Sequence, residues 1–181
     1  LVKYLVSYGH QVEVASYRLP YVPKKSINAD FVIHLAASGG GTIHNPRKGE
    51  NDAEVMSNVN LRGMDSLLLG IIKPETKVLF MSSTSVYGKY NDSPIVNEDS
   101  KLEPVSIYGE HKVASEKILQ DSFFDWLILR PCGIFGPSSN FRFGNSFLNV
   151  VTSKATKDGQ ITIMGGDQKI DTLYLLDLIN V

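Results

Sequence analysis

The sequence predicts an α/β fold built as a doubly wound parallel sheet, and three observations lead there. Short apolar runs of strand length recur along the chain, stretches of helical periodicity separate them, and small or hydroxylic residues gather just past the ends of the runs. Runs that are apolar throughout, without polar alternation, suit strands covered on both faces, as in parallel sheets.

Leu1, Leu5 and Tyr8 recur at helical spacing and Gly9 follows where a helix terminator belongs, so the chain opens in a helix. "QVEVASY" (11–17), "DFVIHLAA" (30–37), "KVLFMSS" (77–83) and "DWLILRPC" (125–132) read as strands. Residues 53–70 and 108–122 read as the helices between them, with right-handed crossovers expected. Beyond Pro131 the Pro and Gly density rises, and "GQITIMGGD" (159–167) reads as one further strand and turn. This divides the chain into a dinucleotide-binding region, 1–132, and the start of a smaller substrate-binding region, 133–181.

Bulk properties narrow the function. The 181 residues are 43% hydrophobic and 20% charged, an ordinary globular composition, and the net charge of −1 comes without a basic block. Nucleic acid and anionic membrane are thus poor partners, and a small molecule is the better one. Cys132 is the single cysteine, no His/Cys set has metal spacing, and no apolar run is long enough to span a bilayer. A reducing, cytoplasmic setting without metal fits these features.

Ligands of open α/β sheets bind beyond the carboxyl ends of the strands. There stand "HLAASGGG" (34–41), "SSTSVYG" (82–88) and a helix bearing Tyr108 and Lys112. Positions i and i+4 share one helix face, so this pair is either one turn of an ordinary helix or a catalytic couple. A free tyrosine titrates near pH ~10, and a neighbouring ammonium favours its phenolate, which would make Tyr108 an acid–base group with Lys112 as its tuner. Ser83 is placed to hydrogen-bond the same substrate oxygen. His34 reads as structural within an apolar strand, His44 and His111 as solvent-facing, and "SGGGT" (38–42) as either a turn or a phosphate contact.

"DFVIHLAA", "NVNLRGMDSLL", "VLFMSSTSVYG", "SIYGEHKVASEKIL", "LRPCGIFGP" and "GGDQKIDTLYLLDL", in that order, resemble the extended short-chain dehydrogenase/reductases. The likeness is to their NAD-dependent epimerase/dehydratase branch, which acts on nucleotide sugars. It implies a Rossmann-type fold, a homodimer, and hydride chemistry with Ser83, Tyr108 and Lys112 as the catalytic residues. It places Leu35, Ala36, Ala37, Asn60, Pro131, Tyr108 and Lys112 against the cofactor.

Departures from that pattern shape the expectations. The chain starts in the helix that follows the family's first strand and glycine-rich turn, whose amides hold the pyrophosphate, so a longer natural chain is expected. The connection from Tyr17 to Asp30 is short for the family. Ser16 and Arg18 stand where a carboxylate often meets the adenosine ribose of NAD, which leans the cofactor, NAD or NADP, toward NADP. Thr84 and Ser85 replace an acidic pair, arguing against 4,6-dehydration. Gly133 replaces an asparagine and Ile170 an arginine that helps bind nucleotide phosphates, leaving Ser83, Thr84, Arg142 and Asn145 as candidate substrate contacts. Two functions follow: an NAD(P)-dependent epimerase or keto-reductase of nucleotide sugars, or a non-catalytic regulatory protein that binds dinucleotide or sugar nucleotide with the same fold.

Overall fold

In the computed structural model, residues 1–15, 26–39, 53–88, 95–137, 147–163, 166–167 and 169–180 are described. They fall into two units, Ala15–Arg130 and Leu1–Val14 with Pro131–Val181.

The first unit is built on a parallel sheet of β1 (Phe31–His34), β2 (Lys77–Met81) and β3 (Asp125–Leu129), with β2 in the centre. In register, Val78 of the central strand lies between Val32 and Trp126, and Phe80 between His34 and Ile128. One sheet face thus carries Val32, Val78, Phe80 and Ile128, and it packs on Met64, Ile71, Leu119 and Phe124 to form the core. Met64 and Leu119 come from α3 (Gly63–Gly70) and α4 (Ile107–Gln120), whose connections return each chain to a parallel strand. Burying these side chains contributes about 1.5–3 kcal/mol apiece.

The single helix expected over 53–70 is instead three pieces: α2 (Ala53–Ser57), a π-helical turn (Asn58–Arg62) and α3. The wider turn sets Asn60 inward, where it is buried. Such turns interrupt α-helices frequently at functional sites. Helix α4 starts where Ser106 accepts a hydrogen bond from the Gly109 amide at 3.1 Å, the usual work of an N-cap serine.

The second unit contains α1 (Val2–Ser7), α5 (Phe147–Asp158), α6 (Leu175–Ile179) and a two-stranded parallel ladder of β4 (Gly133–Phe135) and β5 (Thr172–Tyr174). Gly9 closes α1 as expected, with its amide on Val6 and that of His10 on Leu5, the paired bonds of a Schellman motif. Tyr4 of α1 donates its hydroxyl to Asn180 just past α6, at 2.7 Å.

Two strand expectations need correction. Residues 11–15 carry no strand, and neither do 159–163. A strand exists through its ladder, and neither segment has a ladder partner among the described residues, whatever its apolar content. The ladder of this unit is made by "GIF" and "TLY", runs of three residues that are too short to announce themselves by periodicity. Helix α5 lies in the stretch beyond Pro131, where the sequence offers one further strand and turn and no helix.

Candidate functional site

The carboxyl ends of β1 and β2 adjoin, and the candidate residues collect there. Past β1, Leu35, Ala36 and Ala37 are exposed, Leu35 by 50%, so their backbone and small side chains are open to a flat ligand. Past β2, Ser83 caps the 3-10 turn Thr84–Val86 and its hydroxyl oxygen accepts the Ser85 amide at 3.1 Å. That bond uses a lone pair and leaves the Ser83 proton available to a substrate oxygen. The Ser85 hydroxyl is buried without a partner among the described residues.

Tyr108 and Lys112 share one face of α4. The Lys112 ammonium lies 5.6 Å from the centre of the Tyr108 ring and 4.6 Å from that of Phe80, within cation–π range of both. Its hydrogen bond goes to the Met81 carbonyl at the end of β2, at 2.6 Å. Helix and turn approach closely because Gly109 has no side chain: a Cβ there would stand 2.6 Å from the Ser85 carbonyl oxygen. Gly39 lies against Tyr108, where a Cβ would be 3.2 Å from the ring, so backbone closes on the phenol there.

Asn60 holds this arrangement from the π turn. Its side chain exchanges two hydrogen bonds with Ser38, accepting from the amide at 2.8 Å and donating to the carbonyl at 2.9 Å. Its own carbonyl accepts from Ser115 of α4 at 3.1 Å. Asn60 therefore ties the β1 loop to the helix of Tyr108 and Lys112. His111, expected to face solvent, is instead half-buried with Nδ1 3.5 Å from the Asn60 amide nitrogen. Its partner comes from the π turn, which linear spacing does not reveal.

The electrostatics differ from the expectation. Burial holds the Tyr108 phenol above its ordinary value, and the ammonium does not bring it down in this arrangement. Lys112 is itself lowered to about 8, by desolvation first and against the attraction of Glu116. His34 is lowered to about 4 by burial and by the charge of Lys112, so it is a neutral imidazole stacked on Phe80, structural as expected.

A testable cost follows. A fall from 10.5 to about 8 opposes folding by roughly 3 kcal/mol, at ~1.4 kcal/mol per tenfold change in proton affinity. The unfolded chain binds more protons between these values, so the cost is full below pH 8 and fades as pH rises toward 10.5. Lys112→Met should raise stability at pH 7 by about 1–3 kcal/mol, the lost hydrogen bond taking back part of the gain. Urea melts at neutral and alkaline pH check it. A variant less stable than the parent at pH 7 would refute the assignment of strain to this lysine.

Of the other candidates, Thr84 is half-buried in the turn after Ser83, and Pro131 is half-buried in the second unit. Ser16, Arg18, Arg142, Asn145, His44 and the rest of "SGGGT" past Gly39 lie outside the described residues. No group of His, Cys, Asp and Glu among the described residues has the form of a metal site, and no described helix is long and apolar enough to cross a membrane.

The exposed edge of Leu35–Ala37, the confined phenol and the ammonium beside it fit the nicotinamide end of a dinucleotide, a flat ring with a ribose to bind. The profile of the "NAD dependent epimerase/dehydratase family" matches residues 19–181. UDP-glucose 4-epimerase of Lactobacillus helveticus is 33% identical over 120 residues, which cover 60% of this chain and 36% of that protein. D-erythronate dehydrogenase of Cupriavidus necator is 34% identical over 119 residues, covering 61% and 35%. The crystal structure of UDP-glucuronic acid 4-epimerase from Bacillus cereus in complex with NAD superposes with a TM-score of 0.66 at 27% identity, over 83% of this chain and 47% of that one. The chain spans less than half the length of each of these relatives. The family profile covers most of the chain and the fold agrees with it: the chain belongs to the NAD-dependent epimerase/dehydratase family, within the extended short-chain dehydrogenase/reductases.

Proposed function

We propose that the protein is an NAD(P)-dependent epimerase or keto-reductase acting on a nucleotide sugar. The observation that carries this reading is the convergence of Tyr108, Lys112 and the Ser83 turn at the carboxyl end of the sheet, with the ammonium 5.6 Å from the phenol ring. When bound, the cofactor supplies the hydride acceptor or donor and, oxidised, a positive charge that favours the phenolate.

Tyr108 removes the proton of a sugar hydroxyl during oxidation and returns it to the keto oxygen during reduction. Ser83 donates its free proton to that same oxygen and fixes its direction. Lys112, anchored on the Met81 carbonyl, holds positive charge beside the phenol and meets the nicotinamide ribose. Leu35, Ala36, Ala37 and Pro131 line the nicotinamide, with Asn60 beside the site. Thr84, Arg142 and Asn145 contact the substrate. Ser16 and Arg18 meet the adenosine ribose and favour NADP, whereas the NAD in the Bacillus cereus relative favours NAD. Residues 1–132 serve the dinucleotide and 133–181 begin the substrate region, in a cytoplasmic homodimer.

The test is to purify the protein at its full natural length, release any nicotinamide nucleotide by denaturation, identify it by mass, and follow a panel of UDP- and dTDP-sugars by NMR. A bound or readily bound nicotinamide nucleotide with conversion of at least one sugar is expected. Binding of neither NAD nor NADP, with every sugar unchanged, would leave the non-catalytic reading in its place.

A further inference from the structure

One buried ion pair takes no part in the chemistry proposed above. Glu116 lies on α4 one turn beyond Lys112, with its side chain 2% exposed, and Arg130 directly follows β3 with 16% exposed. The guanidinium grips both carboxylate oxygens, Nε to Oε1 at 3.0 Å and Nη2 to Oε2 at 2.8 Å. Such a fork fixes orientation as well as charge. Ser82, at the end of β2 and directly before Ser83, donates its hydroxyl to the same Oε1. Arg130 also donates through Nη1 to the Tyr87 hydroxyl at 2.9 Å and the Glu98 carbonyl at 3.1 Å, and its guanidinium lies 5.1 Å from the Tyr87 ring centre.

Stability alone gives no reason for this arrangement, since well-packed apolar residues replace a buried ion pair without loss in many proteins. Its placement gives a reason. The groups facing the Lys112 ammonium are His34 from β1, which is neutral, the Phe80 ring and Met81 carbonyl from β2, and Tyr108 and Glu116 from its own helix. Among these, Glu116 is the acidic side chain, and residues four apart on a helix stand about 5–6 Å apart at Cβ.

We propose that Glu116 is a positioning residue for the catalytic pair: gripped by Arg130 and Ser82, it sets a fixed negative charge one turn below Lys112 and keeps that lysine an ammonium beside Tyr108. The same grip fastens the strand end that precedes Ser83 to the helix of Tyr108. The proposal rests on the catalytic reading of Lys112, yet its test does not need turnover.

The experiment titrates the Lys112 amine by ¹³Cε/¹⁵Nζ NMR in the full-length protein, its signal assigned by loss in Lys112→Arg. In Glu116→Gln the midpoint is expected to fall by roughly one pH unit. In Glu116→Gln/Arg130→Gln it should fall less, because the repulsion of the guanidinium goes too, and in Glu116→Asp it should return toward the parent value. A parent-like midpoint in both Gln variants overturns the proposal, as does unfolding of both, which would give the pair a structural role alone. If the midpoint falls while Lys112→Met retains turnover, the electrostatic coupling of Glu116 to Lys112 stands, but the catalytic reading of Lys112, and with it a positioning role in catalysis, fails.

Discussion

Tyr108→Phe is expected to lower kcat for the sugar substrate by about 10²–10⁴-fold, the usual contribution of a positioned acid–base group. The ring stays, so its packing against Gly39 and the ammonium stays, and stability and nicotinamide binding should change little. Burial holds the phenol above its ordinary value and so protonated at neutral pH, which suits the acid half of the role proposed for it. Because Lys112 is lowered to about 8, the ammonium is lost as pH rises through that value, and kcat should fall on an alkaline limb near pH 8. Steady-state kinetics with KM resolved from kcat check both statements. Turnover that survives the loss of the hydroxyl would remove Tyr108 from the mechanism.

Arg130→Met is expected to cost about 3–5 kcal/mol of stability, the penalty for leaving a buried charge without its partner. Glu116 would keep only the Ser82 hydroxyl, and the Tyr87 hydroxyl and Glu98 carbonyl would each lose a donor. Replacing both charged residues, in Arg130→Met/Glu116→Met, should recover most of the loss, because no unpaired charge then remains. Chemical denaturation of the single and double variants measures this. Equal stability of single variant and parent would mean that solvent already reaches Glu116.

The central strands and the helix of Tyr108 and Lys112 were legible in the sequence. "FVIH", "KVLFM" and "DWLIL" are strands within the expected ranges, and α4 (Ile107–Gln120) lies within two residues of the helix expected over 108–122. Ser83, Tyr108 and Lys112 could be proposed because hydride chemistry with acid–base catalysis calls for those residue types and helical spacing puts two of them on one face. Residues 11–15 and 159–163 read as strands but are not, since pairing depends on a partner. The role of Asn60 as a tie between loop and helix depends on a π turn, whose signal in sequence is weak. The Arg130–Glu116–Ser82–Tyr87 network was missed, although an arginine at the end of an apolar run is a cue to look for a buried acid.

By itself the sequence determined the class of fold and supplied the sheet end and the residue types proposed for the site, because strand length, helical period and acid–base chemistry are local properties. The tertiary structure alone decided which groups meet: that Lys112 hydrogen-bonds the Met81 carbonyl, that burial raises the phenol instead of the ammonium lowering it, and that Glu116 answers to Arg130. Each of these depends on distance and desolvation between segments far apart in the chain, and a sequence carries neither until the core of Met64, Phe80 and Leu119 has brought them together.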